Sequence, residues 1–331
     1  MVPCRPTFAP RKVHMSFVRP SVLSAILLAS ACDLDGEPAS APIHEPVDVE
    51  PRCLGCWGGP LTNTHGLNGL SVSALDTTGE MYDGWRLDSV ALSLDGGHIP
   101  IYGVHTKNGV LHGTDSGGYH YAGDDFVGSI WSVRLEDTEK LVQMQAVAFT
   151  PDGSATRYTF VGGSSPGNDK GFTCALDPDT GEYSAVLFDD LDVDPDDGTH
   201  FARASTIYFG CLSGAVGKAA LWGYSPWNTD HATHQTATRA VRADYCGDGT
   251  PYTVQGTPLQ LADVFQVNHF VADEKVTEAM WGPDGAECIK VPRLGYDPAE
   301  IECNGETLPF CSVEDTLEEW PYALLWTKIW L

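Results

Sequence analysis

Positive charge is scarce in this 331-residue chain, which has 19 Lys and Arg against 45 Asp and Glu and a formal net charge of −26. Such an excess of acidic residues repels nucleic acids and anionic lipid headgroups, because they carry the same sign of charge. The composition therefore argues against both as partners.

Long hydrophobic runs are missing as well. The apolar segment nearest the N-terminus, residues 21–29, is far shorter than the ~20 residues that span a bilayer. It follows four basic residues and no acidic ones, and it ends in small residues. This order is typical of an export signal, so residues 1–31 are predicted to be a lipoprotein-type signal peptide.

Cys32 stands where a lipid anchor would be attached. Leu28-Ala-Ser-Ala-Cys32 resembles the bacterial lipoprotein box, although Ala29 occupies the position where that box usually has Leu. Ordinary signal cleavage with an incidental cysteine is the alternative. Residues 32–52 are rich in Pro and acidic residues and are predicted to be an extended tether. Without the signal, 15 basic residues face 45 acidic ones, a net charge of −30.

Ten cysteines are present, and eight remain once Cys4 leaves with the signal and Cys32 carries the lipid. An even set in an oxidising compartment is typical of disulfides, with a reduced metal site as the alternative. A bridge is also the better interpretation of Cys53-Leu-Gly-Cys56 than a redox or half-zinc motif, because no second pair at zinc-ribbon spacing accompanies it. We predict the pairs Cys53–Cys56, Cys174–Cys211, Cys246–Cys288 and Cys303–Cys311.

Apolar residues alternate with polar ones between residues 67 and 188, which predicts antiparallel strands in a sandwich or barrel-like domain over residues 53–198. The best hairpin prediction joins residues 129–136 to 141–150. Residues 199–331 are predicted to form a mixed module with short helices at 214–222 and 230–243, the second begun by Asp230 and closed by Gly247. The last residues, 318–331, form a strand or a helix starting at Pro321. The fold class is β-rich α+β.

No motif in the chain has the context that its chemistry requires. Gly163-Ser-Ser165-Pro-Gly167 has nucleophile-elbow spacing, yet the polar residues after it favour a loop over the necessary helix. Gly217-Lys218 is not a phosphate loop, because Ala219 stands where Ser or Thr must bind magnesium. Enzyme activity is therefore uncertain, and the absences argue against it.

Four acidic residues, Asp190, Asp192, Asp194 and Asp196, alternate along an unusually acidic segment. Alternating carboxylates are typical of calcium loops, so these four are the predicted calcium ligands; a solvated acidic loop is the alternative. His231 and His234 could present two imidazoles to a metal, but a capped helix with hydrogen-bonded histidines explains them equally. If the protein is a hydrolase, its acid and base residues are Asp244, Asp248 and His234; the alternative role of the two acids is to shape a turn.

The string Arg242-Ala-Asp-Tyr-Cys-Gly-Asp-Gly249 resembles the signature of the ADYC-domain family of myxobacterial exported proteins. The segments 211–227 and 279–288 also resemble those that flank it in the family. The family commonly has Cys where this chain has Ala219 and Ala237, and their joint absence implies a lost disulfide between neighbouring helices. The resemblance implies export but no particular chemistry.

The leading hypothesis is an exported, lipid-anchored envelope protein that acts as a binding or structural module, with a polysaccharide or an envelope protein as its partner. Trp222, Tyr224 and Trp227 are crowded just before the signature and could supply either core or a recognition surface. The alternative is an extracellular hydrolase that uses Asp244 and Asp248.

Overall fold

The computed structural model of the protein describes residues 61–68, 72–94, 96–136, 140–162, 171, 173–270, 275–312 and 317–330. The predictions of the signal peptide, the lipid on Cys32, the tether, the Cys53–Cys56 bridge and the loop at residues 163–167 lie outside the described residues. No helix in the described ranges is long and apolar enough to cross a membrane.

Antiparallel strands form most of the described structure, and the helices are few and short. The helices are α1 (Ala215–Ala219), which continues into a helical turn over Ala220–Tyr224, and α2 (His231–Arg242). The strands are β1 (Leu61–Thr62), β2 (Ala74–Asp76), β3 (Trp85–Leu94), β4 (Gly97–Lys107), β5 (Val110–Thr114), β6 (His120–Ala122), β7 (Ile130–Leu135), β8 (Leu141–Thr150), β9 (Arg157–Gly162), β10 (Ser184–Val193), β11 (His200–Cys211), β12 (Pro258–Asp263), β13 (Val276–Gly282), β14 (Gly285–Ile289), β15 (Glu302–Cys303), β16 (Glu306–Thr307) and β17 (Leu325–Ile329).

The larger sheet has ten strands in the order β2-β11-β10-β9-β8-β7-β3-β4-β5-β6. It curves so strongly that Trp131 of β7 meets Phe209 of β11, with ring centroids 6.0 Å apart, although three strands lie between them. The two halves of the sheet thus enclose one apolar core, as in a sandwich. The predicted β-rich class is confirmed, and the described strands form open sheets rather than a closed barrel.

Alternation of apolar and polar residues explains why these segments are strands. In β7, Trp131 and Val133 are fully buried, while Ser132 and Arg134, which alternate with them, are more exposed. β7 pairs antiparallel with β8, so the predicted hairpin is confirmed. The indole N–H of Trp131 donates to Ser129 Oγ at 3.0 Å, which satisfies the one polar atom of this core residue.

The smaller sheet has five strands in the order β1-β12-β17-β13-β14, and α2 packs against it. The C-terminal segment is therefore a strand: β17 occupies the centre of this sheet between β12 and β13. Residue 198, the predicted domain boundary, lies in the turn between β10 and β11, which pair along most of their length in the larger sheet.

The described cysteines form three disulfides, Cys174–Cys211, Cys246–Cys303 and Cys288–Cys311. The first was predicted correctly. The predicted pairs Cys246–Cys288 and Cys303–Cys311 are wrong, because the fold brings Cys246 to Cys303 and Cys288 to Cys311. The β15–β16 hairpin separates Cys303 from the chain that follows, and Cys311 N donates to Ile289 O at 3.1 Å, which places Cys311 beside Cys288.

The predicted helices 214–222 and 230–243 are both present, and α1 packs against α2. Ala219 and Ala237 are fully buried in the same apolar cluster, so they lie on neighbouring helices as the family resemblance implies. Asp230 begins α2 as predicted, since its carboxylate accepts a hydrogen bond from Thr233 N at 2.6 Å.

Lys218 of α1 is not a phosphate ligand, because its buried ammonium lies between Asp177 and Asp179 at 2.9 and 2.7 Å.

Gly247 does not close α2 as predicted, because the helix ends at Arg242, next to the predicted limit at residue 243. Ala243 takes up left-handed backbone conformation there, with a φ of 52°. The last helical carbonyls are occupied by a side chain from elsewhere in the chain: Arg293 donates to Val241 O at 3.0 Å and to Ala240 O at 2.6 Å. Arg293, which is distant in sequence, therefore caps the C-terminus of α2 in place of Gly247.

Candidate functional site

A cleft of about 240 Å³ opens where three distant segments of the chain meet. They are the turn between β4 and β5, the middle of β10, and the segment from Pro226 to the start of α2. The lining combines two aromatic rings with a cation, a carboxylate, an amide and an imidazole. Its residues are Lys107, Asn108, Phe188, Asp189, Pro226, Trp227 and His231.

The β4–β5 turn is held tightly against the cleft. Asn108 and Gly109 both have positive φ, 51° and 78°, as a two-residue type I′ hairpin turn requires. A Cβ atom on Gly109 would lie 3.1 Å from Thr156 O and 3.3 Å from the Trp227 indole. Glycine is therefore needed both for the turn and for its close approach to Trp227, and this approach keeps Lys107 and Asn108 beside the aromatic side chain.

Trp227 begins a row of aromatic rings that runs from the cleft into the core. The ring centroids of Trp227 and Phe188 lie 5.6 Å apart. The centroids of Phe188 and His234 lie 4.8 Å apart, and so do those of His234 and His200. Trp227 is half-buried, whereas Phe188 and His234 are buried. The row fixes the orientation of the indole, so the two predicted roles of Trp227, core and recognition surface, are compatible in one side chain.

His234 is a structural residue of this row. Its Nε2 donates to Val216 O at 3.0 Å, which joins α2 to α1, and burial lowers the pKa of His234 to about 4. His231, three residues earlier, is exposed at the cleft. The predicted pair of imidazoles on one face is thus divided between the core and the surface, and the hydrogen-bonded alternative describes His234.

The low pKa of His234 predicts a loss of stability in acid. The unfolded chain takes up a proton near pH 6.5, whereas folded His234 stays neutral until about pH 4, so stability falls as the pH drops through this window. Between pH 7 and 4.5 this group alone should remove about 2 kcal/mol. Urea unfolding of a His234→Gln variant should show a pH-dependent loss smaller by that amount, while His98→Gln, at an exposed position, should match the wild type. An equal loss in wild type and His234→Gln would refute this assignment.

Asp189 is the acidic group of the cleft. Burial and the neighbouring charge of Asp190 raise its pKa, in spite of the hydrogen bond from Thr106 N at 3.4 Å and the attraction of His105. The carboxylate is an acceptor for a ligand hydroxyl or amide group.

The signature string 242–249 lies at the end of α2, and its polar residues are engaged within the fold. Asp244 is buried, its Oδ2 lies 3.2 Å from Arg239 Nη1 and 4.0 Å from Arg242 Nη1, and it accepts a hydrogen bond from Gly249 N. Burial raises the pKa of Asp244, and the two arginines oppose that shift. Asp248 is exposed and accepts from Thr250 N at 2.9 Å. Both carboxylates shape the turn, as the structural alternative predicted.

Tyr245 anchors the signature to the smaller sheet. Its ring stacks on Trp281 of β13 at a centroid distance of 5.2 Å, and its hydroxyl donates to Glu278 Oε1 at 2.7 Å. Glu278 also pairs with Arg293, at 2.7 Å from Nε and 3.0 Å from Nη2, and all three side chains are fully buried. This buried network joins β13, the signature and the end of α2.

The remaining signature residues bring backbones close together. Cys246 is bonded to Cys303 of β15. Gly247 and Gly249 both have positive φ, and a Cβ atom on either would come within 2.0 Å of a backbone oxygen, of Asp284 and Asp196 respectively. Only glycine fits both positions, because no flexible side chain is available to move aside. The signature is therefore a structural joint between α2, the smaller sheet and the β10–β11 turn.

The acidic segment predicted to bind calcium uses three of its four carboxylates within the fold. Asp190 accepts from Ser205 N at 2.7 Å, Asp192 accepts from the Tyr82 hydroxyl, and Asp194 accepts from Asp196 N at 2.8 Å. In the described part of the chain, no three His, Cys, Asp or Glu side chains already converge at metal-binding geometry. Calcium binding by Asp190, Asp192, Asp194 and Asp196 stays a prediction.

Comparison with known proteins identifies a single family. A family model described as the ADYC domain matches residues 123–295, just over half of the chain, and covers strands β7 to β11 of the larger sheet together with the signature. No curated protein and no solved structure matches the chain.

Proposed function

The chain belongs to the ADYC-domain family, and from this premise and the geometry of the cleft we propose that it is an exported binding module of the cell envelope. The cleft is the binding site, and a neutral polysaccharide is the ligand. The observation that carries the proposal is the meeting of Trp227 with Lys107, Asp189 and His231 in one open cleft.

This set of side chains suits a hydroxyl-rich ring. An indole offers a flat apolar face to the C–H side of a sugar, while an ammonium, a carboxylate, an amide and an imidazole supply donors and acceptors for hydroxyl groups. A volume of about 240 Å³ lies below the ~300 Å³ typical of sites that enclose a whole small molecule. The cleft therefore suits one residue of a polymer whose remainder lies along the protein surface.

Charge and the signature support the choice of a neutral ligand and of binding over catalysis. A chain with a net charge of −26 disfavours acidic polymers. Asp244, the first residue that a hydrolase would need, is paired with Arg239 and serves the turn. Asp248 accepts a hydrogen bond from Thr250 N in the same turn, so the contacts described for both carboxylates favour a structural role.

Removing the polar side chains of the cleft should weaken binding without altering the fold. His231→Ala and Lys107→Ala should each raise the dissociation constant for the bound envelope polysaccharide about tenfold, the cost of one hydrogen bond to a charged or ionisable group. Both residues are exposed, so the melting temperatures of the two variants should match that of the wild type. Tryptophan fluorescence titration with a panel of neutral envelope polysaccharides measures the effect, and His98→Ala is the matched control. Trp227→Ala is less informative, because this side chain also packs on Phe188.

Three results would overturn the proposal: no polysaccharide in the panel binds, His98→Ala weakens binding as much as His231→Ala, or an envelope protein binds the wild type and loses affinity for the cleft variants.

We also propose that the module is held at the envelope by a lipid on Cys32, with residues 32–52 as its tether. Three disulfides in the folded part agree with an oxidising compartment. A Cys32→Ala variant lacks the site for a thioether lipid and should move from the membrane fraction to the soluble fraction, whereas Cys4→Ala should stay with the membrane. Retention of Cys32→Ala in the membrane fraction would rule the anchor out.

A further inference from the structure

Three histidines stand side by side on the edge of the larger sheet, away from the signature. His105 of β4 is directly opposite His112 of β5, and His120 of β6 is the diagonal neighbour of His112. His112 is half-buried, and the other two are exposed. Cross-strand and diagonal positions on one face are close enough for side chains of this size to meet.

The spacing of two ring nitrogens is that of a metal site. His112 Nδ1 lies 3.3 Å from His120 Nε2. Two imidazole nitrogens bound to one tetrahedral zinc ion, each ~2.0–2.1 Å from it, are separated by about 3.3 Å. The ring centroids of these residues lie 5.2 Å apart at an angle of 37°, so the rings converge rather than stack. A hydrogen bond between the two rings can have the same spacing, and the experiment below separates the two.

His105 has a ring nitrogen that is free to bind a cation beside this pair. Its Nδ1 contacts Gly103 O at 2.9 Å, and because a carbonyl can only accept, Nδ1 carries the proton and Nε2 carries the free lone pair. An imidazole that donates one N–H to a backbone carbonyl is the usual arrangement of a metal ligand. Its ring lies 5.4 Å from that of His112. The three side chains do not yet converge on one point, so the third bond needs a rotation of the His105 side chain.

We propose that His112 and His120, completed by His105, bind a late first-row divalent cation such as Zn²⁺. Imidazole sets prefer zinc, copper and nickel to calcium or magnesium. His105 lies on β4 two residues before Lys107, a residue of the cleft lining.

Calorimetric titration of the chelator-treated full-length mature protein with Zn²⁺ tests the proposal. The wild type should bind one ion per chain at these residues. His112→Ala and His120→Ala should each weaken binding about 100-fold or more, since even the loss of a supporting group around a metal costs 10–100-fold. His105→Ala should weaken it less, and His98→Ala, an exposed histidine on the same strand, should leave it unchanged.

Each alternative has its own outcome. If the wild type binds no Zn²⁺ at millimolar concentration, the His112–His120 contact is a hydrogen bond and the proposal is wrong. If His112→Ala and His98→Ala bind Zn²⁺ equally well, the ion is held elsewhere, for example by the acidic segment 190–196, and the proposal is equally wrong. Circular dichroism of each variant checks that the fold is retained. Polysaccharide binding by the metal-free protein tests the function proposed above independently of this site.

Discussion

Replacing Arg293 by alanine should lower the free energy of unfolding by about 3 to 5 kcal/mol, the cost of breaking a fully buried ion pair by removing one partner. Arg293 is fully buried and pairs with Glu278 through two nitrogens. The same guanidinium occupies two carbonyls at the end of α2. Its loss would leave a buried carboxylate with only the Tyr245 hydroxyl as donor, and it would leave the helix end open.

A variant that removes both charges separates the contribution of the ion pair from that of the packing. Arg293→Met combined with Glu278→Gln removes both charges and keeps similar volumes, so it should cost clearly less than Arg293→Ala alone. Arg86→Ala is the exposed control, because the Arg86–Asp88 pair at 2.9 Å lies at the surface and should contribute about 0 to 1 kcal/mol. Urea unfolding followed by tryptophan fluorescence measures all four proteins. A cost below about 1 kcal/mol for Arg293→Ala would show that the network is dispensable.

Local patterns were sufficient to predict much of the secondary structure. The period-two alternation of Trp131 and Val133 identified β7, and the spacing to residues 141–150 identified its hairpin partner. Asp230 identified the start of α2, because an N-cap acts on residues only three positions away. These predictions succeed where the interaction that decides the structure is short in sequence.

The disulfides and the end of α2 depend on contacts between distant residues, and the sequence predictions failed there. Cys246 finds Cys303 across 57 residues, and the pairing follows from the path of the β15–β16 hairpin rather than from spacing. Arg293 donates to the last carbonyls of α2 from 52 and 53 positions away, whereas the sequence favours the nearby Gly247 as the residue that ends the helix. A single sequence carries no local signal for either contact.

The candidate sites were missed for the same reason. Lys107, Asp189 and Trp227 come from three segments that meet only through the curvature of the larger sheet. Aromatic crowding is visible in the sequence and predicts Trp227 as a recognition candidate, whereas the sequence has no local pattern that predicts its polar neighbours in the cleft. His105, His112 and His120 are neighbours only when the register of β4, β5 and β6 is known. A bulge between Tyr102 and His105 shifts that register, and sequence alone does not predict it.

The signature shows why a distinctive sequence need not mark a reactive site. Asp244, Tyr245, Cys246 and the two glycines each have a structural contact that explains the residue type: an ion pair, a buried hydrogen bond, a disulfide and close backbone approaches. The string therefore fixes how α2 meets the smaller sheet. The cleft, by contrast, is lined by side chains from outside the signature.

The melting temperature of an Asp244→Asn variant tests this account most directly. Asparagine keeps the shape and an acceptor for Gly249 N but removes the charge that pairs with Arg239 and Arg242. The loss of charge-assisted bonds inside the fold should cost about 2 to 3 kcal/mol, which lowers the melting temperature by roughly 5 to 10 °C in a protein of this size.

Asp248→Asn is the matched control, because Asp248 is exposed and its acceptor for Thr250 N survives the change, so its melting temperature should stay within about 1 °C of the wild type. The account predicts a clear drop for Asp244→Asn beside an unchanged Asp248→Asn. If instead Asp244→Asn melts at the wild-type temperature, the signature carboxylate is not part of the structural joint, and the central claim about the signature is contradicted.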